Sequence, residues 1–196
     1  MNEELMMGKL VRAVKAFLEE LHKPETYAKG DEFEHYVRKY LFTKEEYDLV
    51  AQTHDYKTNE KDFVETSKDP DFKFRSRRSG REFFVEVKYR SGFYQGVAQW
   101  CKPYQLKRYK DIAKAVPVLV AIGIGGRPES PDNVYIVPVK HINYTELFPS
   151  FLKDYEVPVD QCVDADSILL SLQVPQRSPG PNSRTIRPFR YSGVQH

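Results

Sequence analysis

Two charged residues stand inside a run that otherwise reads as a core strand. Phe83-Phe84-Val85-Glu86-Val87-Lys88-Tyr89 has the branched and aromatic composition of a strand. On a strand, Glu86 and Lys88 share one face with Phe84, opposite Phe83, Val85, Val87 and Tyr89. Burying an unpaired charge is costly. Same-face neighbours lie about 6.5–7 Å apart along the backbone, so a salt bridge at a sheet edge is one account of the pair. Upstream, Asp69 and Asp71 flank Pro70, and Ser79-Gly80 supplies a hairpin turn before Glu82. In an antiparallel pair the start of one strand meets the finish of the other, which brings Asp71 toward Glu86 and Lys88. Two carboxylates and an ammonium gathered on a sheet suit a divalent metal. Mg²⁺ takes oxygen ligands, commonly one or two carboxylates with waters and a substrate phosphate. A lysine beside it can position or help deprotonate an attacking water.

The elements that must position these residues follow in order. Leu5, Leu10, Val14, Phe17 and Leu21 recur at helical spacing over residues 2–22, and Pro24 ends that helix. A second helix is expected after Gly30, with Asp31 as its N-cap, burying Phe33, Val37, Tyr40 and Leu41. Strands are expected over 47–53, 70–75 and 82–89, with a polar loop from His54 to Glu65. Residues 92–96 break the chain, and 99–115 read as a helix with Pro103 near its first turn. Two apolar runs, 116–125 and 133–139, read as buried strands. The tail from about Thr145 holds one short helix and then a Pro/Gly/Arg-rich end suited to disorder. Three strands followed by a strand–helix–strand crossover imply one α/β domain, a mixed central sheet flanked by helices.

Pro70-Asp71, fourteen intervening residues and Glu86-Val87-Lys88 together resemble the PD-(D/E)xK nuclease superfamily, the restriction endonuclease-like fold. The sequence has no other Glu-x-Lys, and its second Pro-Asp, Pro131-Asp132, falls downstream of it. The Asp-x-Lys matches at Asp55 and Asp71 lack an upstream Pro-Asp. Gly30-Asp31-Glu32-Phe33-Glu34 is similar to the superfamily's Gly-x-x-x-Glu helix pattern. Gln105-Leu106-Lys107-Arg108-Tyr109 resembles the Gln-x-x-x-Tyr of its RecB-like branch; Gln99, the competing glutamine, has Pro103 where a Tyr is needed. The resemblance covers residues 30–139, an αβββαβ core. It divides the chain into an N-terminal helical extension (1–29), the nuclease-like core (30–145) and a C-terminal extension with a basic tail (146–196).

The resemblance implies a Mg²⁺-dependent deoxyribonuclease, with Mn²⁺ as a substitute ion. It implies that Asp71, Glu86 and the main-chain carbonyl of Val87 hold the metal, while Lys88 orients or activates the water. Glu34 would bind a second metal or its water shell, and Gln105 and Tyr109 would line the site. Arg75, Arg77, Arg78, Lys102, Lys107 and Arg108 are the candidates for phosphate contacts, which position a substrate without specifying its sequence. Two other readings stay open: a non-catalytic member of the same fold that binds nucleic acid or serves assembly, and a structural protein whose Glu86–Lys88 pair is only a salt bridge. The last requires Asp71 to lie far from both.

Bulk properties agree with a soluble globular chain: of 196 residues, 40% are hydrophobic and 30% charged. The net charge of +2 is unevenly spread. Residues 73–90 carry seven cations against two acids, 99–110 four against none, and the end from Ser171 four arginines and no acid. Such patches suit a polyanion, DNA ahead of RNA, although a solvated face has the same composition. A homodimer or larger complex is left open. Cys101 and Cys162 are too few for a disulfide framework or a zinc cluster. Both are expected reduced, in a cytoplasmic setting. The opening MNEELMM has no signal-peptide pattern. The longest apolar run, 116–124, is shorter than the roughly 18 residues of a membrane span. The five histidines show no zinc spacing, the glycines at 123, 125 and 126 read as a turn, and Trp100 reads as core.

Overall fold

The computed structural model describes residues 25–53 and 69–172. The helix expected over 2–22, the loop from His54 to Glu65 and the basic end beyond residue 172 lie outside them.

Helix α1 spans Glu25–Tyr36 and passes into a π-helical turn, Val37–Leu41. Gly30 and Asp31 are thus interior to the helix, which begins before the expected N-cap at Asp31. An interior glycine costs about 1 kcal/mol relative to alanine. Burial of Phe33, Tyr36, Val37 and Leu41 outweighs that cost. The π turn, closed by Phe42 N–H donating to Val37 O at 2.9 Å, shifts the helical phase. Tyr36, three residues after Phe33 on the same helix face, is buried, and Tyr40, within the π turn, packs at the margin of the core.

The main sheet contains β1 (Tyr47–Gln52), β2 (Phe72–Ser76), β3 (Glu82–Arg90), β5 (Val118–Ile124), β6 (Asn133–Pro138) and β8 (Glu156–Val157), in the spatial order β1-β2-β3-β5-β6-β8. All neighbours are antiparallel except β3 and β5, which are parallel. The crossover between those two contains a short strand, β4 (Ala98–Gln99), and helix α2 (Pro103–Ile112). A parallel pair needs such a crossover because a tight turn cannot join two strands running the same way. The α2 helix is shorter than expected because Ala98 and Gln99 pair instead with β7 (Glu146–Leu147). Pro103 supplies its first turn. The mixed sheet and the order α1-β1-β2-β3-α2-β5 agree with the α/β class expected from the sequence.

The two faces of the sheet are covered differently. Against one lie α1 and α4 (Ala165–Ser171), packed on Phe72, Phe74, Phe83, Val85, Val87, Leu119 and Ala121. Against the other lie α2 and the segment through Ile142, Leu147 and Leu152, packed on Val118, Val120, Ile122, Tyr135 and Val137. Trp100 is fully buried there, as expected. Helix α3 (Pro149–Leu152) leads to β8, so the residues after 145 add two strands, β7 and β8, and two helices, α3 and α4, to the packed unit. Edge strand β1 carries a bulge between Leu49 and Ala51, a feature that discourages pairing with other chains.

Candidate active site

Strand parity decides which side chains meet. Phe72 pairs with Val85 and Phe74 with Phe83, and all four point to the α1 face. One step before Phe72, Asp71 comes opposite Glu86, and both side chains point to the α2 face. In the parallel register Glu86 lies beside Val120 and Lys88 beside Ile122, two residues of the core under α2. The charged pair therefore lies between the sheet and α2.

Asp71 Oδ2 accepts the Val87 N–H at 2.7 Å. Strand β2 ends at Phe72, so this main-chain donor has no strand opposite it, and the carboxylate replaces the missing partner. The Pro70-Asp71 backbone is fixed in turn by Thr53, whose N–H donates to Asp71 O at 2.9 Å and whose hydroxyl donates to Pro70 O at 3.0 Å. Proline suits a strand start because it has no N–H to place. Thr53 carried no sequence signal for this role.

Glu86 is 2% exposed, and its Oε1 meets Lys88 Nζ at 2.5 Å. Its Oε2 is buried with no donor at full hydrogen-bonding geometry, the Tyr109 hydroxyl being the group that faces this carboxylate. A buried carboxylate oxygen without a partner costs more than a neutral hydrogen bond returns, so this oxygen is either a cost or a ligand position. Burial alone would depress the Lys88 ammonium. The carboxylates of Glu86 and Asp71 overcome that and hold it above the ordinary lysine range. Tyr109 is buried on α2, stacked on Trp100 with ring centroids 6.2 Å apart. Burial pushes its hydroxyl up, and the charge of Glu86 and the hydroxyl's approach to that carboxylate push it further, with a smaller contribution from Asp71. Burial likewise raises the Cys101 thiol to about 11, with Glu86 adding to it. Asp71, Glu86, Lys88 and Tyr109 therefore share one electrostatic neighbourhood.

The remaining candidates separate into two groups. Arg108 Nη2 donates to the Tyr109 hydroxyl at 3.3 Å, and its Nε is buried without a partner. Gln105 spends its Oε1 on the Lys102 N–H at 2.9 Å, capping α2. Lys102 and Lys107 are exposed on α2. By contrast, Arg75 pairs with Glu82, Arg77 with Asp48, and Arg78 with Asp164 and Asp166. Arg75 sits opposite Glu82, four residues from the Asp71 level, which at about 3.3 Å per residue is roughly 13 Å away. Arg77 and Arg78 lie farther along, at the hairpin tip. The arrangement does not bring these three to the carboxylates. Their charges are matched by acids from β1, β3 and the start of α4, which local charge counts do not foresee.

Glu34 lies on α1, the helix on the opposite face of the sheet, and is half-buried. Among the described residues, no three of His, Cys, Asp and Glu form a group able to hold a metal. The donor set next to Lys88 is therefore two carboxylates, Asp71 and Glu86. Two carboxylates and otherwise water and phosphate is a common Mg²⁺ arrangement, and the orphaned Glu86 Oε2 fits it.

Of the glycines read as a turn, Gly125 and Gly126 take positive φ after β5, whereas Gly123 lies within the strand and has a packing role. A Cβ on Gly123 would come within 2.5 Å of the Phe33 ring, so a bare backbone at this position of β5 is what lets α1 dock.

No family model matches this chain, and no curated protein matches it in sequence. No helix among the described residues is long and apolar enough to cross a membrane. Among solved structures, the chain is similar to Archaeoglobus fulgidus Hjc, a Holliday junction resolvase from an archaeal hyperthermophile. The identity is 13% and the TM-score 0.36, over 47% of this chain and 77% of that one.

Proposed function

We propose that this chain is a Mg²⁺-dependent nuclease that hydrolyses phosphodiester bonds in DNA, with Mn²⁺ as a substitute ion. The observation that carries the reading is the buried, unpartnered Oε2 of Glu86, opposite Asp71 and two residues from Lys88. A structural salt bridge has no use for a second carboxylate at this place, or for an oxygen left bare.

Asp71 and Glu86 would hold the ion, with the Val87 carbonyl as a third oxygen. When bound, the ion polarises the phosphoryl oxygen and neutralises developing charge. Lys88 holds the attacking water in line and offsets negative charge on the phosphate in the transition state. Water oxygen bonds to phosphorus, the ester oxygen departs, and the water's proton passes to solvent or to the leaving oxygen. Tyr109 and Gln105 line the α2 side; Glu34 is carried by α1 on the opposite face of the sheet and takes no role with this ion. Lys102, Lys107 and Arg108 would contact flanking phosphates, which sets position rather than sequence. The two free cysteines fit a reducing, cytoplasmic setting.

The test combines Mg²⁺ titration by calorimetry with cleavage of plasmid and branched DNA. The native protein should bind Mg²⁺ and cut, and Lys88→Ala should bind Mg²⁺ yet cut at least 100-fold more slowly. Full activity in Lys88→Ala would sink the assignment. Absence of Mg²⁺ and Mn²⁺ binding, with DNA binding retained, would leave the non-catalytic binding module as the function.

A further inference from the structure

We infer that the turn Phe93-Tyr94-Gln95-Gly96 is a base-stacking tip that engages unpaired nucleotides of a DNA strand. The inference rests on the nuclease reading only for DNA being the substrate.

The segment follows β3 after Ser91 and Gly92, so it begins five residues after Lys88. Tyr94 is 77% exposed and Phe93 37% exposed. Two large aromatic rings facing water are an unusual use of apolar surface unless something covers them. The backbone that carries them is held in a defined turn. The Tyr94 N–H donates to Val97 O at 2.9 Å, and the Val97 N–H donates to Tyr94 O at 3.1 Å. Gln95 and Gly96 take φ of 50° and 80°, the left-handed pair of a tight two-residue hairpin turn. Glutamine rarely adopts that conformation, and the two flanking hydrogen bonds hold it there.

The base of the segment is tied as well. The Arg90 guanidinium donates to Tyr89 O at 2.7 Å, Gln99 O at 2.6 Å and Trp100 O at 3.3 Å. One side chain thus joins the end of β3 to the strand that leaves the turn. Burial depresses the Arg90 guanidinium from its ordinary value, but arginine remains a cation in proteins.

Charge identifies what would cover the rings. From residue 90 to residue 110 the chain has five cations and no acid. Tyr104, on the same stretch, is 61% exposed. Exposed aromatics interleaved with cations, and no carboxylate among them, match a strand that is anionic along its backbone and flat along its bases. In a duplex the base faces are already stacked on one another. A fixed Tyr–Phe tip therefore gains contact area only where bases are unpaired, as at an overhang, a branch or a flap. Tyr94 lies six positions beyond Lys88, at most about 20 Å of chain, so an unpaired strand end held at the tip would lie within that reach of the carboxylates.

The experiment measures binding in EDTA, where no cutting occurs, so its outcome is separate from whether the protein is a nuclease. The probes are a blunt duplex and the same duplex with a single-stranded overhang containing 2-aminopurine, whose fluorescence is quenched by stacking. The native protein and Tyr94→Phe should quench the overhang probe and bind it more tightly than the blunt duplex. Tyr94→Ala should lose the quenching and bind the overhang about 5- to 30-fold more weakly, with blunt-duplex affinity within twofold of native. Circular dichroism checks that the variant is folded. Unchanged overhang affinity in Tyr94→Ala, equal losses on both probes, or no binding of either probe by the native protein would each overturn the inference.

Discussion

The Asp71 carboxylate accepts the Val87 N–H at 2.7 Å, closing the strand edge that β2 leaves open one residue earlier. This one contact ties the Pro-Asp half of the candidate site to the Glu-x-Lys half. It also turns Asp71 toward the face on which Glu86 and Lys88 lie. A hydrogen bond from main chain to a carboxylate is among the stronger ones in a protein, so the geometry is held before any ligand binds.

The Glu86–Lys88 pair should be worth more to activity than to stability. Replacing Glu86 alone by alanine strands the Lys88 ammonium and should cost about 2–4 kcal/mol, below the fully buried case because Lys88 keeps 22% exposure. Replacing both residues by leucine should be near neutral in stability or raise it. Both variants should lose cleavage and Mg²⁺ binding. Urea unfolding and calorimetry on the two proteins check this, and a double variant less stable than Glu86→Ala would argue that the pair is structural.

Asp166 is the second buried carboxylate, and it fastens α4 to the β2–β3 hairpin. It accepts from Ser76 Oγ at 2.7 Å, Ser79 Oγ at 2.6 Å and Arg78 Nε at 3.0 Å. Burial would raise its carboxyl, but these three donors hold it below the usual range. Asp166→Ala should cost about 2–3 kcal/mol, because two hydroxyls and a guanidinium lose their acceptor. DNA cleavage should survive, since the hairpin tip is remote from Asp71. Denaturant titration beside an activity assay separates the two effects.

Tyr47 should make stability fall at high pH. Its hydroxyl donates to Val163 O at 2.6 Å and accepts from the Ala165 N–H at 3.0 Å. Burial is the main cause that pushes it up to about 12 from the ordinary 10.0. The unfolded chain therefore ionises first, while the folded protein retains the proton. That contribution is fully present below the unfolded value and is lost as pH rises from about 10 to about 12. Tyr47→Phe should be less stable at pH 8 and should show a shallower decline in Tm across that interval.

Gly123→Ala should destabilise the contact between α1 and the sheet by about 1–3 kcal/mol, the usual cost of overpacking. The added Cβ would meet the Phe33 ring at 2.5 Å. Adding Phe33→Leu should recover part of the loss. A double-mutant cycle with a coupling energy near zero would show that the two positions do not meet.

The reach of sequence reading differs from one residue to the next. The Glu86–Lys88 face and its hairpin with Asp71 were legible because strand parity and turn position are local properties. The αβββαβ order was legible for the same reason. Helix α1 begins before the expected Asp31 cap because burial of Phe33 and Tyr36 outweighed a local signal at Gly30-Asp31. That Arg75, Arg77 and Arg78 are each paired with an acid, Glu82, Asp48, Asp164 or Asp166, was not legible, because those partners are set by strand pairing and packing.

By itself, the sequence determined which residues share a strand face, where the turns fall and where charge accumulates, since these follow from backbone periodicity and composition. Only the tertiary structure decided which charges are already matched, that Thr53 and Arg90 brace the segments on either side of the site, and that Glu86 keeps one bare oxygen. Those outcomes depend on through-space distance between segments far apart in the chain, and on burial, which sets the cost of leaving a charge alone.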